Sequence, residues 1–317
     1  MNGKKVVIAL GGNALQNGNN ASSAEAQQKV CQMTAEQLVT IIKDGYEAVI
    51  AHGNGPQVGN IVLQQQAAVS DKTPAMPLDT CDAMSQGMIG YWMQQAIDFA
   101  LAKAGIDKES ASIVTQSVVD ENDAAFKNPA KPIGPFYTKE EAEKISQEKG
   151  FIMREDAGRG WRRVVPSPRP VDIVERNVIR DLVDKGYITI AVGGGGIPVV
   201  RKENGALEGV EAVIDKDLGA EKLAELVDAD ILLILTAVDS VAIHFNTPRQ
   251  QQLRETTTGQ MKNYMEEGEF APGSMLPKVE AAVQFAETKP GRIAIITSLE
   301  KAAAALRGEA GTRITAN

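Results

Sequence analysis

Val6-Val7-Ile8-Ala9-Leu10-Gly11-Gly12-Asn13 carries five apolar residues straight into a glycine pair. A run this short, rich in β-branched residues and closed by a turn, reads as a strand buried on both faces, as parallel sheets require. The pattern returns at residues 48–51, 112–119, 187–192, 231–235 and 292–297. Between the runs, apolar residues recur at three- and four-residue steps. Ile173, Val174, Val178, Leu182 and Val183 form one such set, and Leu276, Val279 and Val283 another, which predicts helices. Strand and helix alternate, so the expected fold is α/β, a mainly parallel open sheet covered by helices on both faces.

One stretch breaks the alternation. Residues 120–169 hold several prolines, the basic pair Lys127 and Lys131, and little strand character beyond one hairpin. An excursion of that length is expected to be a functional lid or subdomain. No repeat, low-complexity tract or composition break marks a linker, so residues 1–317 are expected to form one domain with 120–169 protruding from it.

Composition excludes several classes. With 43% apolar and 23% charged residues, the chain has the profile of a globular enzyme. The net charge of −8 comes without a basic tract or aromatic-basic interleaving, so nucleic acid is not an expected partner. Cys31 and Cys81 are too few for a disulfide framework, and reduced thiols in a reducing cytosol are expected. The amino-terminal apolar run is too short for a secretory signal and no stretch has the length of a membrane span, so a cytoplasmic location is expected and no membrane partner.

In open parallel sheets ligands gather at the carboxyl ends of strands. Three glycine clusters fall there: Gly11-Gly12-Asn13, Gly53-Asn54-Gly55 and Gly193-Gly194-Gly195-Gly196. Glycines allow positive φ and leave backbone N–H groups free to converge on an anion. Taken alone, the first is equally well a plain strand-to-helix turn. The second precedes Pro56 and a helix expected near Val58, whose first amides would face the crevice. The third is expected to bring backbone close to a phosphate, with a mobile linker as the plainer alternative.

No G-x-x-x-x-G-K-[ST] loop occurs, and no G-x-G-x-x-G follows a strand. Positive charge for phosphate chemistry must come from elsewhere, and Lys131, Lys216 and Lys278 are the candidates. Lys216 lies between Asp215 and Asp217 at a helix start; Lys278 follows Pro277 in the first turn of another, where the helix dipole favours an anion. A lysine is ordinarily a solvated surface residue, so it is the context that singles these out. His52 and His244 are the only histidines, which leaves little for a metal cluster or a Ser-His-Asp triad. His52 is expected to be a packed strand-end side chain. Acidic neighbours around Cys81 argue against a nucleophilic thiol.

Read together, these segments resemble the carbamate kinase family of the amino acid kinase superfamily, over nearly the whole chain. The matching stretches are VIALGGNAL at 7–15, HGNGPQVGN at 52–60, PAMPLDTC at 74–81, QGMIGYW at 86–92 and NPAKPIGPF at 128–136. They continue with EDAGRGWRRVVPSPRP at 155–170, GGGGIPVV at 193–200, GVEAVIDKD at 209–217 and FAPGSMLPK at 270–278.

The resemblance implies a three-layer α/β/α sandwich with a protruding lid, a homodimer, and ATP or ADP with Mg²⁺. It implies the reversible reaction of ATP and carbamate to ADP and carbamoyl phosphate, commonly run toward ATP in arginine breakdown. Gly11, Gly12, Asn13, Gly53, Asn54 and Gly55 would cradle the transferred phosphoryl group and carbamate. Lys131 from the lid, with Lys216 and Lys278, would neutralise the transferring phosphate, and Asp217 would orient the lysines. Ala237, Val238, Asp239 and Ser240, with Gly273, Ser274 and Met275, would border the nucleotide, as would Gly194 and Gly195. No protein metal ligand is implied, because Mg²⁺ would be held by the nucleotide phosphates.

The chain departs from relatives at two points. Many members of the superfamily carry a lysine just before the first glycine turn, where this chain has Ala9-Leu10; the resemblance suggests that Lys131 takes over. Ser240 stands where some members have an aromatic residue. The rival readings are another carboxylate kinase of the superfamily, such as an acetylglutamate kinase-like enzyme, and a silent protein that binds nucleotide or carbamoyl phosphate as a regulator.

Overall fold

The structure is a computed structural model that describes residues 3–11, 23–156 and 158–317. Two of the expected site residues, Gly12 and Asn13, lie outside the described residues.

The run at 6–10 is strand β1 (Lys5–Leu10), and every residue after Lys5 is buried. The other strands of its sheet are β2 (Glu47–His52), β3 (Ser110–Ser112), β4 (Ile188–Ile190), β5 (Ile231–Thr236), β6 (Glu255–Thr257), β7 (Ile293–Ser298) and β8 (Thr312–Thr315). Their order is β6-β8-β7-β5-β1-β2-β4-β3. Every pairing is parallel except β7 with β8. β1 therefore sits near the centre, between β2 and β5.

The helices are α1 (Ala24–Lys43), α2 (Gly55–Ala67), α3 (Leu78–Ala104), α4 (Lys139–Lys149), α5 (Arg176–Asp184), α6 (Lys216–Leu226), α7 (Thr258–Glu266), α8 (Met275–Thr288) and α9 (Ala302–Leu306). Side chains of a strand alternate between faces, and the two cores follow that alternation. Val7 and Ala9 pack with Ile179 and Val183 of α5, Leu223 of α6 and Phe285 of α8. Val6, Ile8 and Leu10 pack with Leu38 of α1, Ile97 of α3 and Ala305 of α9. Burying one such Val, Leu or Ile contributes about 1.5–3 kcal/mol, which fixes the register of the central strands. The result is the three-layer sandwich.

Four departures from expectation have local causes. The run at 112–119 is two strands in two sheets, β3 and a strand at Gln116–Val119, because the buried Gln86 side chain accepts the Thr115 N–H at 2.8 Å and turns the chain there. Ile173 ends a strand at Pro170–Ile173 rather than belonging to a helix; that strand pairs with Gln116–Val119, and α5 starts only at Arg176. The helix expected near Val58 begins at Gly55, since a proline early in a helix fixes its first turn. The proline-rich excursion holds more strand than expected. Strands Lys131–Tyr137, Met153–Glu155 and Trp161–Val165 form an antiparallel sheet, with α4 started by a Thr138/Glu141 capping box.

Gln116–Val119 and Pro170–Ile173 belong to a second, four-stranded sheet with Ile197–Arg201 and Leu207–Gly209. Both cysteines are free and buried. Among the described residues no helix is long and apolar enough to cross a membrane.

Candidate active site

β1 and β2 end side by side, and the Gly53 N–H donates to the Leu10 carbonyl at 3.3 Å. A Cβ on Gly11 would stand 2.8 Å from the Leu235 carbonyl oxygen, so only glycine lets β1 leave the sheet there. A Cβ on Gly53 would stand 3.2 Å from Cδ of Lys216, so this glycine makes room for the lysine stem. Beside the turn, His52 is buried; burial pushes its imidazole down to about 4, so it is neutral near pH 7. Its Nδ1 donates to the Gly53 carbonyl at 3.0 Å and braces the turn.

Past these strand ends opens a cavity of about 200 Å³. Gly53, Asn54 and Gly55 line one side, Lys216, Asp217 and Lys278 another, and Lys131 reaches in from the excursion. Gly194, Gly273 and Ser274 complete the expected set that meets here. Gly11 ends β1 behind this turn, and Gly195, Ala237, Val238, Asp239, Ser240 and Met275 fall outside the lining. Asp239 is engaged with β7, taking hydrogen bonds from Thr297 and Ser298. The Ser240 hydroxyl is buried without a partner among the described residues.

The three lysines are held by two carboxylates. Lys216 Nζ lies 2.6 Å from one oxygen of Asp217, and Lys278 Nζ lies 2.8 Å from the other. Lys131 Nζ lies 2.6 Å from Asp215. Three ammoniums against two carboxylates leave one positive charge in excess, an electrostatic setting for an anion. Burial works to raise the Asp217 carboxyl, yet Lys216 and Lys278 override it and hold it below the usual carboxylate range. Burial opposes Asp215 in the same way, and Lys131 and Lys216 hold it far below that range. Lys216 is pushed down by burial, with Asp217 pulling back; Lys278 ends above the ordinary range because Asp217 outweighs its burial.

Each lysine is placed by its element. Asp215 caps α6 by accepting the Asp217 N–H, which puts Lys216 and Asp217 in the first helical turn. Lys278 is in the first turn of α8. Lys131 opens the first strand of the excursion, which crosses α2 with backbones in contact: a Cβ on Gly59 would fall 2.1 Å from the Gly134 Cα. Val58 and Ile133 share one apolar cluster at that crossing. α2 thus lines the cavity with its start and seats the Lys131 strand one turn later.

The Gly193–Gly196 run has a different cause from the one expected. A Cβ at 193, 195 or 196 would stand within 3 Å of His52, Ile214 or Ser117 respectively, so tight packing accounts for these glycines. Gly194 alone reaches the cavity. Its φ is +67°, and a Cβ there would lie 2.3 Å from Asn54 Nδ2. Gly194→Ala is expected to cost about 1–2 kcal/mol from the left-handed backbone alone and to displace Asn54. Thermal melting checks this, and an unchanged melting temperature would contradict the packing.

Asp215 was absent from the sequence-derived site, although an aspartate ahead of a helix start is a recognisable cap signal. Asp82 and Ser85 were also missed. They come from α3 and hydrogen-bond Asn54, and nothing in the linear sequence marks that contact.

The sequence matches the signature of the Amino acid kinase family over residues 4–297. It is 58% identical to carbamate kinase 1 of Enterococcus faecium over 298 residues, covering 94% of each chain. It is 56% identical to the carbamate kinase of Clostridium perfringens, covering 98% of this chain and 99% of that one. Among solved structures, carbamate kinase from Giardia lamblia bound to AMP-PNP superposes with a TM-score of 0.91 at 46% identity, covering 99% of both chains. A glycine-edged cavity with three lysines, in a sandwich shared along the full length with such relatives, leaves no other placement: this chain belongs to the amino acid kinase family, in its carbamate kinase branch.

Proposed function

We propose that the cavity transfers a phosphoryl group reversibly between ATP and carbamate, giving ADP and carbamoyl phosphate. The observation that carries this reading is the convergence of Lys131, Lys216 and Lys278 on one small cavity edged by the Gly53 turn. Phosphoryl transfer needs positioning and charge stabilisation more than covalent help. A carbamate oxygen attacks the γ-phosphorus, the bond from that phosphorus to the β,γ-bridging oxygen breaks, and ADP leaves with the electron pair. The lysines take up charge on the phosphoryl oxygens, and the first amides of α2 bind the small anionic substrate. An incoming phosphate competes with Asp215 and Asp217 for their lysines, so these carboxylates hold the ammoniums in place until substrate arrives.

Magnesium belongs here to the substrate, as the nucleotide complex, since Asp215 and Asp217 are already engaged by lysines. The likeness to carbamate kinases along nearly the whole chain favours carbamate over an acylated amino acid. The presence of all three lysines favours catalysis over silent binding. The same reading has Ala237–Ser240 and Gly273–Met275 border the nucleotide, the excursion act as a lid, and the enzyme run toward ATP in arginine breakdown in the cytoplasm. It also has the enzyme pair as a homodimer, supported by Tyr91 and Phe99 exposed along α3.

The test is a coupled assay for ATP formed from ADP and carbamoyl phosphate, with Mg²⁺ present or chelated. Purified protein with no activity above a Lys216→Ala control would end the proposal. Lys131→Ala is expected to cut turnover about a hundredfold, the lower end for a lost oriented donor, because this side chain is 27% exposed and water can replace part of its charge. The KM for ADP should hold. An equal loss of turnover and nucleotide affinity would make the segment a structural element instead.

A further inference from the structure

Asparagine ahead of a helix ordinarily caps it, its side-chain oxygen accepting an N–H of the first turn. Asn54 precedes α2 and makes no such bond. Its carboxamide turns away instead, into the interior, where Nδ2 donates to Asp82 and, at 2.7 Å, to Ser85 Oγ. The Ser85 hydroxyl proton is already given to the Asp82 backbone carbonyl at 2.7 Å, so Ser85 can only accept from Asn54. This fixes which end of the amide faces α3. On its open face the carboxamide is covered by Gly194, where no Cβ would fit. Asn54 is therefore clamped between α3 and the glycine run.

The clamp has a consequence for the ligand. Pro56 has no N–H, so Gln57 N–H is the donor that a capping asparagine would take. Gly55 and Gln57 both line the cavity. With Asn54 withdrawn, their amides are left to an anion in place of a cap. We propose that Asp82, seconded by Ser85, is a positioning residue for the transferred group: by holding Asn54 against α3 it keeps the first amides of α2 open to the carbamoyl phosphate.

Two further features of Asp82 fit this role. Its second carboxyl oxygen is buried with no partner among the described residues, an arrangement that packing for stability alone does not favour. Burial raises the carboxyl well above the usual carboxylate range, although the Asn54 hydrogen bond pulls it back. The shift works against a full negative charge behind the anion cavity, while the geometry keeps a carboxyl oxygen of Asp82 as the acceptor for Asn54.

This inference rests on the cavity being the phosphoryl-transfer site, and steady-state kinetics separate the two claims. Asp82→Ala is expected to raise the KM for carbamoyl phosphate about tenfold, the scale of one hydrogen bond, while the KM for ADP stays within about twofold. Asp82→Asn keeps an acceptor for Asn54 and should restore most of the affinity. Ser85→Ala, a small change that leaves the core intact, should shift the same KM in the same direction, and it carries the test if Asp82→Ala does not fold. Unchanged KM for carbamoyl phosphate in Ser85→Ala and Asp82→Ala, a parallel rise in the KM for ADP, or an Asp82→Asn enzyme as impaired as Asp82→Ala would each overturn the assignment. A Lys216→Ala enzyme with full turnover would instead overturn the site itself.

Discussion

Lys216→Ala is expected to lower turnover about a thousandfold, the upper end of the range for removing an oriented charge donor from a closed site. The upper end applies because the Lys216 side chain is only 13% exposed, so little water can take over its charge. Its stem lies against Gly53, which ties the ammonium to the glycine turn at the end of β2. Alanine also leaves Asp217 with Lys278 alone, so the cavity loses its excess positive charge. Measurement is by the coupled ATP-forming assay at saturating substrates. A loss below about tenfold, far short of the range for an oriented donor, would place the charge that matters on another residue.

Asp217→Asn is expected to lower turnover about a hundred- to a thousandfold without touching any group that contacts phosphate directly. Breaking a buried ion pair by removing one partner costs about 3–5 kcal/mol, and Asp217, 2% exposed, is partner to two lysines at once. The pH profile supplies the sharper readout. Burial lowers the Lys216 ammonium, and Asp217 is the first charge that opposes this. In the proposed reaction the lysine acts protonated, so activity is expected to fall as pH rises through its folded-state value. Removing the Asp217 charge moves that value further down, and the alkaline limb of the profile must move to lower pH. A limb that stays in place, or moves to higher pH, would show that Asp217 does not sustain the ammonium.

How far the sequence could be read depended on the range of the interactions involved. β1, β5 and β7 were legible because burial on both faces writes an uninterrupted apolar run, and α8 because its three- and four-residue spacing faces one core. The run at 112–119 misled because its break is made by Gln86, a side chain of α3 that captures the Thr115 backbone. The excursion read as nearly strandless because Pro132 and Pro135 argue against a strand; the strand tolerates them within a small antiparallel sheet whose register shifts between Ile133 and Tyr137. The four glycines at 193–196 were expected to bring backbone close to a phosphate, whereas the atoms that a Cβ would meet there belong to His52, Gln86, Asn54, Ile214 and Ser117, contacts that no local pattern records.

What the sequence by itself determined is the material: buried parallel strands, glycines at their carboxyl ends, and lysines in the contexts that a phosphate site uses. These follow from local patterns, since periodicity, turns and caps are set by residues a few positions apart. The tertiary structure alone decided the pairing. Lys131 meets Asp215 across 84 residues and Lys278 meets Asp217 across 61, while Asn54 is turned from its own helix by Asp82 on another, 28 residues on. Such contacts depend on which strand ends and helix starts the sheet brings together, and no local pattern records the charge or hydrogen-bond partner that will stand opposite.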